Sequence, residues 1–223
     1  MSRQNYVRVY VSKTDTLRDA ETYTHLYQTV SVQRREKIDR LHRMEDKMLS
    51  LAAGLLLERA LEDLGIGTYT LGYGENGKPY LKNIAGVHFN LSHSHAAVMC
   101  AVSDREVGCD VERIATPRLH IAKRFFHEDE YAHLTAARSQ EEQRALFYRF
   151  WTLKESFMKV TGRGMTLPMN AFCISLTEDG AHVRHSLGAQ TYHFKEYQFG
   201  DGYQHAVCAL SSEFDRVVTL SLA

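Results

Sequence analysis

Residues 107–112 read Val-Gly-Cys-Asp-Val-Glu, an alternation of side chains that predicts a β-strand with one buried face. The two valines and the cysteine are predicted to face the core, which leaves Asp110 and Glu112 on the opposite face. At about 3.4 Å per residue, these two carboxylates lie about 7 Å apart along the strand. Like charges held that close require a cation, a proton or bulk solvent. The strand is therefore either the solvated edge of a sheet or one side of a site for a hard ion such as Mg²⁺.

Residues 146–159 form the second decisive stretch, Leu-Phe-Tyr-Arg-Phe-Trp-Thr-Leu-Lys-Glu-Ser-Phe-Met-Lys. At 100° per residue, a helix over these positions carries one broad apolar arc. Lys154 falls inside that arc, where a lysine must either extend to solvent or find an anion. Glu155 and Lys159 lie one turn apart at the edge of the arc. They are either an ordinary surface ion pair or two members of a site.

A third stretch, 88–95, reads His-Phe-Asn-Leu-Ser-His-Ser-His and precedes a buried strand predicted over 96–102. His93 and His95 have a spacing that can bind zinc, but the sequence offers no third ligand at a suitable distance. The alternative is a phosphate cradle made of serine and histidine side chains and backbone N–H groups. The residues alone leave both alternatives open.

Helices and strands occur in separate runs around these three stretches, which favours an α+β fold over a doubly wound α/β fold. The N-terminal part combines a strand over 6–11 with a basic helical segment over 31–64, either one kinked helix or two. We predict two α+β units, residues 1–111 and residues 112–223, each near the size of a small domain. The other predicted helices cover 118–126, 128–138 and 141–160, and the other predicted strands cover 171–176, 182–187, 191–199 and 204–210.

The composition excludes several classes of function. The chain has 27 lysines and arginines against 27 aspartates and glutamates, so no net charge attracts it to nucleic acid or anionic lipid. No apolar run reaches the roughly 18–20 residues needed to span a bilayer. We therefore expect a cytoplasmic protein without nucleic-acid or membrane partners. The 4 cysteines are widely spaced in apolar surroundings, which predicts buried free thiols rather than disulfides or a zinc site.

Four motifs together resemble the Sfp-type 4′-phosphopantetheinyl transferases. The motifs are Gly-Lys-Pro at 77–79, Phe-Asn-Leu-Ser-His-Ser at 89–94, Gly-Cys-Asp-Val-Glu at 108–112, and Phe-Trp-Thr-Leu-Lys-Glu-Ser-Phe-Met-Lys at 150–159, followed by Gly162 and Gly164. They occur in the order and at the spacing familiar from that family. The resemblance extends over essentially the whole chain, from the first predicted strand to the last.

This resemblance implies a fold of two pseudo-symmetric α+β halves with the active site between them, and a monomer. It also implies an activity. The 4′-phosphopantetheine group of coenzyme A is transferred to a serine of an acyl or peptidyl carrier protein, and adenosine 3′,5′-bisphosphate is released. Segment 114–126, which mixes basic and apolar side chains, is expected to face the carrier protein, while its Phe125 and Phe126 are predicted to belong to the core.

The resemblance also implies roles for individual residues. Asp110, Glu112 and Glu155 match the ligands of Mg²⁺, with Mn²⁺ as the alternative ion, and Glu155 is also the candidate base. Lys159 matches a lysine that contacts the phosphates and the leaving group. Lys154 matches a second lysine of the same motif, which either orders the site or approaches the pyrophosphate.

Further residues match positions that bind coenzyme A itself. Lys78 matches the lysine at the adenine and phosphate end. The residues matched to the 3′-phosphate are Ser92, His93, Arg34, Lys37 and Ser50. Two other functions stay open: a catalytically silent module that binds coenzyme A or a carrier protein, and a metal-dependent hydrolase of another nucleotide.

Overall fold

A computed structural model describes residues 5–223; residues 1–4, the start of the predicted first unit, lie outside the described residues. The strands of the described part are β1 (Val7–Lys13), β2 (Leu71–Tyr73), β3 (Pro79–Leu81), β4 (His88–Ser94), β5 (Ala97–Ser103), β6 (Val107–Arg113), β7 (Cys173–Thr177), β8 (Gly180–Arg184), β9 (His193–Tyr197), β10 (Tyr203–Ala209) and β11 (Phe214–Thr219). Its α-helices are α1 (Ala20–Thr29), α2 (Val32–Asp39), α3 (Met44–Glu62), α4 (Leu119–Phe125), α5 (Glu128–Thr135) and α6 (Gln140–Thr161).

Two sheets pack face to face between two long helices. The larger sheet has the strand order β11-β1-β5-β4, and the smaller has the order β6-β10-β9. Small and branched apolar side chains fill the space between them, among them Val9, Met99, Val111 and Val207. Helix α3 covers the outer face of the larger sheet, and α6 covers the outer face of the smaller one. These layers confirm the predicted α+β class.

The basic segment 31–64 forms two helices rather than one. The hydroxyl of Ser31 caps the start of α2 by accepting a hydrogen bond of 3.3 Å from the backbone N–H of Arg34. The apolar face of α3, which includes Leu56, then packs on the larger sheet. Helix α3 ends at Glu62, and Gly65 follows with a φ of 75°, a conformation that glycine adopts readily.

The two sheets meet where β4 runs beside β6. Stretch 88–95 is therefore mostly a strand, and its polar residues at alternate positions reach the edge of β6 that lies opposite β10. Backbone N–H groups of β6, which an edge strand would otherwise leave unpaired, gain side-chain acceptors in this way. The three bonds run from Cys109 to Asn90 Oδ1 at 2.9 Å, from Val111 to Ser92 Oγ at 3.4 Å and from Arg113 to Ser94 Oγ at 3.3 Å.

Two elements have no clear signal in the sequence pattern. Helix α1 buries none of its residues, so no apolar spacing marks it. Strand β11 pairs parallel to β1 and places the C-terminal end of the chain in the larger sheet.

The boundary predicted between residues 111 and 112 falls inside the continuous strand β6. Connections that contain Asp179-Gly180 and Asp201-Gly202 join antiparallel neighbours, β7 to β8 and β9 to β10.

Two expectations from composition can be compared directly with the structure. All four cysteines, Cys100, Cys109, Cys173 and Cys208, are free and buried, as predicted. None of the helices in residues 5–223 combines the length and the apolar character needed to cross a bilayer.

Candidate active site

Gly108 lets the backbone of α6 lie directly on β6. A Cβ atom on Gly108 would stand 2.2 Å from the carbonyl oxygen of Ser156 and 2.4 Å from the backbone nitrogen of Val160. Only a residue without a side chain permits this approach. The polar edge of α6 is thereby set beside the carboxylates of β6, on the strand face that the alternation predicts to be polar.

Lys159 bridges the helix and the strand. Its Nζ donates to Asp110 Oδ1 at 2.6 Å, to Ser92 Oγ at 3.0 Å and to the carbonyl oxygen of Cys109 at 3.1 Å. Burial is the largest single influence and would lower the pKa of Lys159, but the charge and hydrogen bond of Asp110, together with Cys109 and Glu155, raise the pKa above its ordinary value. The ammonium group is therefore charged at neutral pH. Its partner is a residue of β6 rather than its helical neighbour Glu155, so the simple surface pair is not what forms.

Three carboxylates share the space beside Lys159. Asp110 is only 3% exposed, which excludes the solvated edge strand as an interpretation. Burial raises the pKa of Glu155, and the charge of Asp110 raises it further. The same two causes, in the same order, raise the pKa of Glu112, although its carboxylate accepts a hydrogen bond of 2.7 Å from Ser94. Three carboxylates and one ammonium leave an excess of negative charge that favours a cation.

The donor atoms of this group fit a hard divalent cation. Asp110 Oδ2 is buried and lacks any hydrogen-bond partner within residues 5–223, a costly arrangement that a cation would relieve. The predicted ligand set offers carboxylate oxygens only, which suits Mg²⁺. The three carboxylates do not converge on one point, because the one group of three potential ligand atoms within 4.8 Å of one another in residues 5–223 lies between α5 and β7. Binding an ion in the cleft therefore requires side-chain rotation toward it.

Ser92 belongs to the carboxylate group rather than to a separate phosphate site. Its hydroxyl donates to Asp110 Oδ1 at 2.9 Å and accepts from Lys159, and the residue is only 6% exposed. Its hydroxyl therefore holds Asp110 in this structure, and its contact with the 3′-phosphate stays a prediction. His93 lies on the opposite face of β4 and is exposed. Burial of the ring and then the charges of Lys159 and Lys37 lower the pKa of His93.

The structure places Lys154 in the core rather than in the cleft, which favours ordering the site over contact with the pyrophosphate among the two roles that the resemblance implies. Lys154 is 0% exposed and donates to Glu130 Oε1 at 2.7 Å and to the carbonyl oxygen of Phe172 at 3.0 Å. The same carboxylate oxygen accepts the backbone N–H of Ile174 at 2.6 Å. The lysine in the apolar arc did require an anion, but that anion is a carboxylate of α5. The pair joins α6 to α5 and β7 inside the core.

We expect Lys154→Met to destabilise the fold by about 3–5 kcal/mol, because Glu130 would be left buried and unpaired. Denaturant unfolding measures this change, and the folded fraction should keep its affinity for coenzyme A. Lys159→Met is the matched variant on the same helix: it should lose activity and destabilise the fold less than Lys154→Met, because Lys159 is 27% exposed and Asp110 keeps its hydrogen bond from Ser92. A Lys154→Met protein of normal stability that binds coenzyme A weakly would contradict the assignment.

A second polar group lies between α2 and α3. Arg34 is only 5% exposed, and the one hydrogen bond of its guanidinium within residues 5–223, to the carbonyl oxygen of Ser50, is long at 3.4 Å. The hydroxyl of Ser50 is buried without a partner among residues 5–223. Burial lowers the pKa of Arg34, and burial followed by the charge of Arg34 lowers the pKa of Lys37. Two cations close together beside an unpaired hydroxyl are an arrangement that an anion would stabilise.

Lys78 lines a cavity of about 510 Å³ between the β2–β3 turn, the start of β4 and the end of α6. Its Nζ donates to Glu106 Oε2 at 2.7 Å, while the other oxygen of Glu106 lies 2.9 Å from His88 Nδ1. Burial would raise the pKa of Glu106, but His88 and Lys78 together lower it to about 2. Asn76 closes one side of the cavity by donating to the carbonyl oxygen of Gly162 at 3.0 Å. Glu106 and Asn76 are not predicted from the sequence, since each belongs to a turn with no spacing that marks it.

A further cavity of about 430 Å³ opens beside Glu112 and includes part of the predicted carrier-facing segment 114–126. Its lining includes His95, Arg113, Arg118, Ile121 and Trp151. Phe126 is 4% exposed and belongs to the core as predicted, but Phe125 is 38% exposed, so its assignment to the core is wrong. This rim offers the predicted mixture of basic and apolar groups at the edge of the carboxylate group.

Comparison with known proteins gives one consistent result. A sequence model described as the 4′-phosphopantetheinyl transferase superfamily matches residues 106–208. A 4′-phosphopantetheinyl transferase of Bacillus subtilis is 36% identical over 193 residues, which cover 83% of this chain and 84% of the relative. The 4′-phosphopantetheinyl transferase Sfp of Bacillus subtilis strain 168 is 33% identical over 195 residues, covering 86% and 87%. The 4′-phosphopantetheinyl transferase gsp of Aneurinibacillus migulanus is 32% identical over 207 residues, covering 92% and 85%.

Proposed function

Because the chain belongs to the 4′-phosphopantetheinyl transferase superfamily, we propose that the cleft between α6 and β6 transfers 4′-phosphopantetheine from coenzyme A to a carrier protein. The acceptor is a serine hydroxyl of an acyl or peptidyl carrier protein, and adenosine 3′,5′-bisphosphate is the second product. The observation that carries this proposal is the packing of α6 on Gly108, which sets Lys159 against Asp110 beside two further carboxylates.

Asp110, Glu112 and Glu155 are the residues that would hold Mg²⁺, or Mn²⁺ in its place. The unpaired Oδ2 of Asp110 is the atom whose burial calls most directly for such an ion. When bound, the ion neutralises charge on the pyrophosphate and makes the phosphorus under attack more electrophilic. Without it, three carboxylates would repel the phosphates that they have to receive.

The side chains of the cleft then position the reacting groups and stabilise the charge on the phosphates and the leaving group. The serine oxygen of the carrier attacks the phosphorus on the pantetheine side, and the bond from that phosphorus to the oxygen of the adenosine bisphosphate breaks. Lys159 stays charged and is 27% exposed, so it donates to the phosphates and stabilises the leaving group. Glu155 accepts the serine proton, directly or through a water, and its raised pKa supports that role.

The two other polar groups bind the parts of the coenzyme that lie far from the reacting bond. Arg34, Lys37 and Ser50 bind the 3′-phosphate, because they combine buried positive charge with an unpaired hydroxyl. His93 lies near Lys37 and contributes to the same end of the ligand. Lys78 binds at the adenine end, in the cavity that Asn76 closes.

The carrier protein docks on the rim formed by segment 114–126 and Trp151, next to the metal-binding carboxylates. Carrier domains are acidic, so the basic side chains of this rim match them in charge. Since the carboxylates and the anion site come from one chain, we propose that the monomer is active. Four free thiols agree with the reducing cytoplasm as its location.

The acid limb of kcat/KM for coenzyme A should lie at a higher pH than ordinary glutamates would give. Burial and Asp110 raise the pKa of Glu112 and of Glu155, so both protonate early as the pH falls, and a protonated carboxyl group binds a cation poorly. The stability of the metal-free fold has the opposite pH dependence. Its free energy of unfolding should rise as the pH falls, because protonation removes a penalty that the folded state carries above these pKa values. Profiles of kcat/KM against pH at two Mg²⁺ concentrations test this. More Mg²⁺ should shift the acid limb to lower pH, and an acid limb at the same pH for both concentrations would contradict the assignment.

Product analysis tests the proposed function against its two alternatives. The protein, coenzyme A and Mg²⁺ are incubated with and without an apo carrier protein, and adenosine 3′,5′-bisphosphate is measured. The proposal predicts that this product forms only when the apo carrier is present. Nucleotide product without a carrier would indicate a hydrolase. Coenzyme A binding by calorimetry without product on several carriers would indicate a silent binding module.

A further inference from the structure

Gly54 lies inside helix α3 and is buried, although glycine stabilises a helix interior less than alanine does. Its φ is not in the left-handed region, so the backbone at this position does not require glycine. Glycine at this position is therefore explained by the steric limits beside the helix and not by the conformation of the helix.

The space beside Gly54 is filled by the side chain of Arg34. A Cβ atom on Gly54 would lie 2.8 Å from Arg34 Cγ, 2.9 Å from Nε and 3.0 Å from Cδ. These atoms form the middle of the side chain rather than its flexible end, so a methyl group could not be accommodated without moving the guanidinium. The guanidinium itself reaches Ser50, one helical turn before Gly54.

Few polar interactions fix the position of that guanidinium. Within residues 5–223 its single hydrogen bond is 3.4 Å long. The guanidinium forms no ion pair with a carboxylate of these residues, and the charge of Glu58 acts on it without a direct contact. Burial and the groove over Gly54 thus decide where the charge lies. A small change in the groove would move the charge without breaking a strong bond.

We propose that Gly54 is a positioning residue that seats Arg34 for the 3′-phosphate of coenzyme A and so determines the preference for the 3′-phosphorylated coenzyme. This inference rests on the proposed function, in which Arg34 contacts that phosphate. Gly54 itself touches no substrate and acts through Arg34 alone. Its effect therefore appears in the recognition of one phosphate group and not in the transfer step.

The experiment measures KM and kcat for coenzyme A and for 3′-dephospho-coenzyme A with one apo carrier. The variants are Arg34→Ala, Gly54→Ala, the double variant and Gly67→Ala, a control where a Cβ atom meets nothing within 4 Å. Arg34→Ala should lower the preference for coenzyme A about tenfold, the value of one charge-assisted hydrogen bond. Gly54→Ala should lower it similarly through KM with kcat little changed, the double variant should be no worse than Arg34→Ala, and Gly67→Ala should match the wild type.

Each other result is decisive. If Arg34→Ala keeps the preference, the phosphate assignment within the proposed function fails and the inference fails with it. If Arg34→Ala loses the preference but Gly54→Ala keeps it, the inference alone is overturned. If Gly54→Ala does not fold, the double variant decides: recovered folding shows that the methyl group meets Arg34, and continued misfolding overturns the inference.

Discussion

Asp110→Asn is expected to lower kcat for carrier modification by about three orders of magnitude or more, because the loss of a metal ligand removes several kcal/mol of charge stabilisation. The amide keeps the shape of the side chain and an acceptor for Lys159 and Ser92, whose bonds to Asp110 measure 2.6 Å and 2.9 Å. It cannot provide the negative charge that the unpaired Oδ2 presents. Single-turnover transfer at saturating coenzyme A measures the effect.

The fold of this variant should remain intact. Removal of the charge weakens one ion pair but also relieves the repulsion that raises the pKa values of Glu112 and Glu155. We expect the free energy of unfolding to stay within about 1 kcal/mol of the wild type. Asp215→Asn is the control, since Asp215 is an exposed aspartate that also pairs with an arginine. Activity within tenfold of the wild type, or an unfolded variant, would contradict the role of Asp110.

Gly108→Ala is expected to cost about 3 kcal/mol or more of stability, at the upper end of overpacking effects. The new methyl group would meet backbone atoms of α6 at 2.2 Å and 2.4 Å, and backbone cannot rotate away as a side chain can. The helix has to move off β6, which separates Lys159 from Asp110. Activity should therefore fall even where the variant is folded.

Denaturant unfolding and transfer assays below the melting temperature check the two effects separately. Gly67→Ala adds the same methyl group in open space and should change neither. A Gly108→Ala protein with wild-type stability and activity would show that the close packing of α6 on β6 does not create the site.

The two stretches that carry the site could be predicted from the sequence because their periods are local. The alternation over 107–112 predicts which face of β6 holds Asp110, and the helical period over 146–159 predicts the edge that holds Lys159. Both depend only on the geometry of one element. That the two edges face each other follows from the resemblance, and the packing at Gly108 supplies its physical cause.

The features that the sequence does not reveal depend on partners far apart in the chain. Lys154 required an anion, but the choice between a phosphate and Glu130 depends on how α5 packs against α6. Stretch 88–95 alternates with period two like any strand, yet its alternate residues are polar because they bond to β6 rather than to solvent. The reason for glycine at position 54 likewise becomes clear only from the structure, in which the side chain of Arg34 lies over it.

Intact-protein mass spectrometry of an apo carrier domain shows directly whether the cleft performs metal-dependent transfer. The carrier is incubated with the protein, coenzyme A and Mg²⁺, and a parallel sample contains excess chelator. We expect a mass gain of one 4′-phosphopantetheine group in the first sample, none in the second, and recovery when Mg²⁺ is restored. A gain of the same size in the presence of chelator, or no gain on either acyl or peptidyl carriers, would contradict metal-dependent transfer by this cleft.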